Sequence, residues 1–150
     1  EVEEHLPIDM QRYWRKGRIR IKPNQQQAYR ESFETMLRMT KELYDSGIGI
    51  VPGTDMIEGF GYIRELQLYA QAGIPINKVL QLATIGSAAV AGVDGETGSI
   101  SIGKKAEFIL IPGNPLESIA ELYRVNRVVK GNTMYYPDKL QQAIGIKPFS

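Results

Sequence analysis

The sequence contains no cysteine and only one histidine, His5. The absence of cysteine excludes a disulfide framework, a thiolate zinc site and a catalytic thiol, and it leaves the redox compartment undetermined. There are 18 Lys and Arg residues against 17 Asp and Glu residues, so the formal net charge is +1. No excess of one charge sign therefore points to nucleic acid or to an anionic membrane surface as a partner.

Long apolar runs are also missing. Gly, Pro or a charged residue interrupts each run after a few positions, far short of the ~20 residues that a membrane helix needs, so we predict no membrane span. With 43% apolar and 23% charged residues in 150 positions, the chain can form one sizeable core. It begins with Glu1 rather than Met, and we expect a processed chain or a piece of a longer protein.

Helical periodicity, with apolar residues at three- and four-residue steps, dominates the middle of the chain. It predicts helices over 25–45, from Phe60 to Gly73 and over 77–91. Ser46-Gly47 ends the first helix, because Gly takes the left-handed conformation after a helix end at no steric cost. Residues 1–24 show no clear period and are interpreted as a mostly irregular lead-in.

Short strand-like segments lie between and after these helices. Residues 48–51 form an unbroken apolar run, typical of a strand covered on both faces in a parallel sheet. Two hairpins are predicted, which pair 99–102 with 107–111 and 124–130 with 133–136. We also predict a helical turn over 119–122 and at most a short helix after Pro137.

These elements predict an α/β chain in three parts. Residues 1–24 are the lead-in, 25–92 are helix-strand-helix units, and 93–150 are a strand-rich part with a tail. One parallel strand flanked by helices cannot satisfy both of its hydrogen-bonding edges. The strand at 48–51 therefore needs neighbours from elsewhere.

From residue 43 onward the sequence resembles a known family. Residues 43–55, which read Leu-Tyr-Asp-Ser-Gly-Ile-Gly-Ile-Val-Pro-Gly-Thr-Asp, are similar to the end of the barrel in the metal-dependent amidohydrolase superfamily, particularly in its imidazolonepropionase-like and prolidase-like members. Residues 65–75 and 82–92 resemble the last barrel helices. Residues 98–109, with Gly-Ser-Ile and Gly-Lys, and 113–116 resemble the strands that follow the barrel. Glu107 stands where the family more often has Asp.

The resemblance implies a C-terminal piece of a (β/α)₈ TIM barrel, with 48–51 as the eighth strand, plus strands of a companion β-sandwich. It implies that Asp55 stands at the catalytic face, binds a divalent metal, usually zinc, and takes the proton from the hydrolytic water. The substrate is then a small molecule with a non-peptide or dipeptide-like C–N bond. Without the resemblance, an Asp after a strand is more commonly a turn former or a helix cap than a catalytic residue.

The family's other metal groups, a His-x-His pair and further His or Lys ligands, are absent from these 150 residues. A catalytic metal site normally uses about three protein ligands. We therefore predict that this chain is inactive alone and holds no stoichiometric metal. His5 is interpreted as an exposed tail residue, and Glu58 as a solvated or helix-start acid rather than a second ligand.

Two readings from other classes stay open. Residues 12–22 place six positive charges beside Tyr13 and Trp14, a pattern that could bind phosphates and stack bases in a small nucleic-acid-binding module. For this segment we favour a solvated basic stretch over nucleic-acid binding. The second open reading is a degenerate structural domain that persists through self-association.

We expect self-association under either reading, because helices and strand edges have lost their neighbours.

Overall fold

The computed structural model describes residues 2–16, 20–55 and 59–149. Its α-helices are α1 (Ile8–Lys16), α2 (Gln26–Asp45), α3 (Phe60–Gln71), α4 (Ile76–Gln81), α5 (Ser87–Val90) and α6 (Pro137–Ala143). The strands are β1 (Glu107–Leu110), β2 (Arg127–Lys130) and β3 (Thr133–Tyr135). Short 3₁₀-helices occupy Glu3–His5, Pro23–Gln25 and Ile119–Arg124, and a π-helical turn occupies Leu82–Gly86. No helix in the described ranges is both long and apolar enough to cross a membrane.

Helix α2 confirms the helix predicted over 25–45, including its end. Gly47 has a φ of 73°. In that conformation its N–H donates to the Tyr44 carbonyl at 3.0 Å, and the next N–H, of Ile48, donates to the Leu43 carbonyl at 3.1 Å. These two bonds satisfy carbonyls that a helix end leaves without intrahelical partners. They also fix the direction in which the chain leaves α2.

The helices after residue 59 follow the predicted pattern with one addition. Helix α3 confirms the helix predicted from Phe60 to Gly73. Helix α4, the π-helical turn and α5 follow one another without a break over 76–90, which confirms the third predicted helix. The π-helical turn in its middle was not predicted. Inside this run the Ser87 hydroxyl donates to the Leu82 carbonyl at 2.7 Å. Helical periodicity does not distinguish such a turn from a regular α-helix.

The lead-in contains a helix where the sequence predicts mostly irregular chain. In α1, Asp9 lies in the first turn and Arg15 and Lys16 in the last, so both ends complement the helix dipole. Apolar packing adds to this, because Met10 packs against a small core that Leu6 forms with the distant residues Phe60 and Ile146. Such long-range contacts leave no period in the sequence, which is why the helix was missed.

The sheet is antiparallel and has the order β1-β2-β3. The turn between β2 and β3 contains Gly131, with a φ of 59°, and confirms the predicted hairpin of 124–130 with 133–136. The Ile119–Arg124 helix confirms the predicted helical turn over 119–122, and its cap is Ser118, whose hydroxyl accepts from the Ala120 N–H at 3.3 Å.

The predicted hairpin of 99–102 with 107–111 is wrong, because β1 pairs with β2 and residues 99–102 form no strand. The Lys104 ammonium instead donates to the carbonyls of Asp94 and Thr97, which closes this segment into a loop. The side chains of Ile100 and Ile102 are exposed. Alternation of Ser and Ile makes a strand only where a partner and an apolar surface are in reach.

The predicted barrel strand at 48–51 is not formed in the described part of the chain. A strand is defined by hydrogen bonds to a neighbour, and the sheet here contains only β1, β2 and β3. The predicted burial on both faces is wrong as well: Ile50 packs against the main core, but Ile48 and Val51 are 53% and 40% exposed. Both burial and pairing depend on neighbouring elements that the segment itself does not supply. The described residues thus form mixed helices and a three-stranded antiparallel sheet, and the assignment of 48–51 to a barrel strand stays a prediction for the complete protein.

Two apolar cores hold the elements together. The main core consists of the buried residues Leu66, Tyr69, Ile74, Val79 and Ile119, with partly buried neighbours from α2 and α4. The second core joins Leu6, Phe60 and Ile146, one from each of the three predicted parts of the chain. The part boundaries predicted near residues 24 and 92 stay predictions.

Gly98 provides a test of the packing between the loop after α5 and the π-helical turn. A Cβ at this position would lie 2.7 Å from the Ala88 Cβ and 3.0 Å from the Ile85 Cα, and φ is +82°. Overpacking and the positive φ together should make Gly98→Ala cost about 2–3 kcal/mol of unfolding free energy. The matched control is Gly92→Ala, with φ +70° and nothing within 4 Å of the added Cβ. Urea unfolding that gives equal losses for both variants would show that the close contact does not exist.

Candidate functional site

Asp55 lies at the end of residues 48–55, a segment that we call the Asp55 arm. The arm has no regular secondary structure, but its first half is anchored. The Ile48 N–H donates to the carbonyl of Leu43 in α2, Ile50 packs on the main core and Pro52 is buried. The chain from α2 to Pro52 is therefore held against the protein while the residues beyond it reach the surface.

A tyrosine from α3 contacts the same arm. The Tyr69 hydroxyl donates to the Val51 carbonyl at 3.1 Å, and the Tyr69 side chain is 9% exposed. Burial, followed by nearby Glu65 and Tyr62, raises the pKa of Tyr69 above its ordinary value. The hydroxyl therefore keeps its proton and its donor capacity at neutral pH, since an ordinary Tyr pKa is about 10.

The end of the arm, with Gly53, Thr54 and Asp55, is exposed. A carboxylate in this position can accept a proton from water or serve as a metal ligand, given suitable partners. The structure thus places Asp55 on the surface, beyond an anchored stretch of backbone. Glu58, the other acid considered near it, lies outside the described residues.

A metal site needs several ligands, and the described residues do not assemble one. In the ranges 2–16, 20–55 and 59–149, no group of three or more His, Cys, Asp or Glu side chains could hold a metal ion. Asp55 by itself does not fit a zinc site, which takes about three protein ligands. No catalytic step through a metal follows from these residues.

His5 is not the exposed tail residue that the sequence predicts. Its ring stacks on Phe149, with centroids 3.6 Å apart and planes 10° apart. Its Nδ1 is 2.8 Å from the Lys147 carbonyl, and the Lys147 N–H donates to the His5 carbonyl at 2.8 Å. The lone histidine therefore joins the two ends of the chain, and its partly buried position follows from contacts 142 residues apart in sequence.

Glu65 is a partly buried acid that the sequence reading did not single out. It lies on α3 between Tyr62 and Tyr69, three and four residues away, and shares their face of the helix. Burial raises the pKa of Glu65 above its ordinary value. The spacing Tyr-x-x-Glu-x-x-x-Tyr was the available signal, but burial of the carboxyl depends on tertiary packing.

The raised pKa gives a pH-dependent prediction. The folded chain binds the Glu65 proton more tightly than the unfolded chain. The contribution of Glu65 to stability is therefore fully present below the ordinary Glu pKa of about 4.3 and is lost as pH rises through the raised value. Glu65→Gln should therefore raise the unfolding free energy at pH 7 by less than about 1 kcal/mol, with the gain vanishing below pH ~4. Thermal melts across this range test it, with exposed Glu42→Gln as the control; equal behaviour of the two variants would contradict the burial of Glu65.

The basic segment 12–22 is only partly described, because residues 17–19 lie outside the described ranges. In α1, Arg12 pairs with Asp9 at 3.4 Å, and Arg15 pairs with Glu3. Among the described residues of the segment, Arg12 and Arg15 thus have acidic partners within the chain. This arrangement supports the solvated basic segment, and the exclusion of nucleic acid as a partner stays a prediction.

A groove of about 980 Å³ lies between the π-helical turn and the sheet, and its lining does not include Asp55. Its lining combines Ile85 and Ala88 with Phe108 and Val129 and is mainly apolar. The groove is therefore separate from the arm and does not form a substrate pocket for Asp55.

The chain is similar to several known proteins. The model of the amidohydrolase family matches residues 13–134. A Xaa-Pro dipeptidase, solved with methionine bound in the active site, is 31% identical, with a TM-score of 0.61 over 69% of this chain and 25% of that chain. A putative prolidase from Bifidobacterium longum is 28% identical, with a TM-score of 0.59 over 73% of this chain and 29% of that chain. A solved amidohydrolase is 25% identical, with a TM-score of 0.60 over 67% and 25% of the two chains.

A comparison with curated proteins found no match. The chain spans 25% to 29% of the length of the three solved proteins, so most of each of them has no counterpart here. The family match nevertheless covers most of the chain, including the Asp55 arm, α3 and the sheet up to β3. The resemblance seen in residues 43–116 is confirmed: the chain belongs to the amidohydrolase family.

Proposed function

We propose that this chain supplies the C-terminal part of a hydrolase that cleaves the C–N bond of a small, dipeptide-like molecule. The family of residues 13–134 supports the hydrolase class. The similarity to a Xaa-Pro dipeptidase and to a putative prolidase supports the dipeptide-like substrate. The observation that carries the proposal is the position of Asp55 inside the family match, exposed at the end of an anchored segment.

Asp55 is the residue of this chain to which we assign chemistry. Its carboxylate is proposed to take a proton from the attacking water and to return it to the leaving nitrogen. Proton transfer by a positioned side chain contributes about 10²–10⁴-fold to a rate. The anchored half of the arm supports this role, because a proton acceptor is effective only when it is held within hydrogen-bond distance of the proton it removes.

We also propose that the complete hydrolase uses a divalent metal, zinc, with Asp55 among the ligands. The described residues offer no further ligand set, and about three protein ligands are needed. The chain by itself is therefore expected to bind no stoichiometric zinc and to hydrolyse nothing.

The direct test is the reading frame upstream of Glu1 together with the activity of its complete product. We expect a His-x-His motif followed by several βα units, and release of proline from Xaa-Pro dipeptides that stops on chelation and returns with added zinc. A complete product with no such motif and no cleavage of any amide substrate would contradict the proposal.

Self-association is the second part of the proposal. The edge strands β1 and β3 carry exposed apolar side chains, among them Ile109 and Met134, and exposed edges and apolar patches favour association. Sedimentation of the 150-residue chain should therefore show oligomers whose share grows with concentration. Compact monomer at every concentration would contradict this part.

A further inference from the structure

Two tyrosines of α3 each donate a hydrogen bond from the hydroxyl to a backbone carbonyl outside the helix. The Tyr69 hydroxyl donates to the Val51 carbonyl of the Asp55 arm at 3.1 Å. The Tyr62 hydroxyl donates to the carbonyl of Ala83 in the π-helical turn at 3.2 Å. The two residues lie seven positions, or about two helical turns, apart on one helix. Only the first of these bonds reaches the segment that carries Asp55.

The hydrogen bond from Tyr69 to Val51 comes from a side chain that is itself buried. The buried Tyr69 side chain belongs to the main core, together with Val79 of α4 and Ile119 of the Ile119–Arg124 helix. The carbonyl that it binds lies four residues before Asp55. Ile50, next to Val51, packs on the same core. The arm is thus held at Val51 and Ile50 by residues of the main core.

From this juxtaposition we propose that Tyr69 is a positioning residue, which holds the Val51 carbonyl and thereby sets where Asp55 stands. The inference rests on the proposed role of Asp55 and adds to it the residue that orients it. Tyr69 does not touch the reacting atoms, so its loss should affect the rate of the chemical step and leave substrate binding unchanged. A misplacement of about 1 Å can cost as much as 10²-fold in rate.

The test compares Tyr69→Phe with Tyr62→Phe, since each variant removes one hydroxyl that donates to a backbone carbonyl. In the 150-residue chain, Tyr69→Phe should shift the ¹³C resonance of the Val51 carbonyl, and Tyr62→Phe should leave it unchanged. In the complete hydrolase, Tyr69→Phe should lower kcat about tenfold or more with KM unchanged, whereas Tyr62→Phe should keep kcat within about twofold. Thermal melts of both variants report any general loss of stability.

The outcomes separate the two proposals. An active hydrolase in which both variants lose the same kcat, or in which Tyr69→Phe loses none, overturns the positioning role and leaves the function of Asp55 intact. An unchanged Val51 resonance in Tyr69→Phe overturns it as well. A complete product without any amide hydrolysis overturns the proposed function and, with it, the role of Tyr69.

Discussion

Replacing Asp55 with asparagine should lower kcat of the complete hydrolase by about 10²–10⁴-fold. Asparagine keeps the size of the side chain and one of its oxygens, but it accepts no proton and carries no charge. Asp55 is exposed and lies beyond the anchored part of its arm, so the substitution removes no buried contact and the fold should persist. Steady-state kinetics on Xaa-Pro dipeptides, with a circular dichroism melt of each variant, measures the effect.

The control for this substitution is Asp94→Asn. Asp94 is also exposed and lies in the turn after α5, and its backbone carbonyl, rather than its carboxylate, accepts from Lys104. This variant should retain wild-type kcat. Equal kcat values for wild type and Asp55→Asn would show that Asp55 takes no part in catalysis, even though the chain belongs to the amidohydrolase family.

The largest expected effect on stability comes from Leu66→Ala, with a loss of about 2–5 kcal/mol in unfolding free energy. Leu66 is 2% exposed and shares the main core with Val79 and Ile119, so it lies where α3, α4 and the Ile119–Arg124 helix meet. A truncated side chain leaves a cavity that this junction cannot close without moving three elements. Because domains are stable by about 5–15 kcal/mol in total, the variant should lose a large part of its stability.

Leu140→Ala is the matched control. Leu140 lies in α6, is 55% exposed, and its replacement by the best helix former should change the unfolding free energy by no more than about 0.5 kcal/mol. Urea unfolding followed by circular dichroism separates the two variants. Similar losses for both would mean that the main core is not where the structure places it.

The helices were predictable because their information is local. The apolar period of 25–45 and the glycine at 47 determine where α2 lies and where it ends. The hairpin of β2 and β3 is local as well, since Gly131 supplies the turn between two adjacent strands. In these elements the residues that form the structure are also the residues that predict it.

The errors arose where a segment needs a distant partner. The alternation at 99–102 and the apolar run at 48–51 predict which faces of a strand are apolar. A strand forms only when it pairs with a neighbour, and the pattern does not predict that neighbour. Helix α1 is not predicted for a related reason, because Met10 packs against a core that Leu6 forms only together with the distant residues Phe60 and Ile146.

In the candidate site, too, some features are predicted from the sequence and others depend on tertiary packing. Asp55 was identified by its resemblance to a family motif, whereas the hydroxyl of Tyr69 on Val51 and the partial burial of Glu65 appear only once α3 is packed beside the arm. His5 changed from a predicted tail residue to a ring stacked on Phe149 through a contact that no local pattern reports.

We propose above all that Asp55 is one member of a catalytic group whose other members lie outside the described residues of this chain. The most direct test of this claim is the zinc content of the purified chain, measured beside its turnover of Xaa-Pro dipeptides under saturating zinc. We predict clearly substoichiometric zinc and no turnover. One tightly bound zinc per chain together with catalytic turnover would contradict the claim.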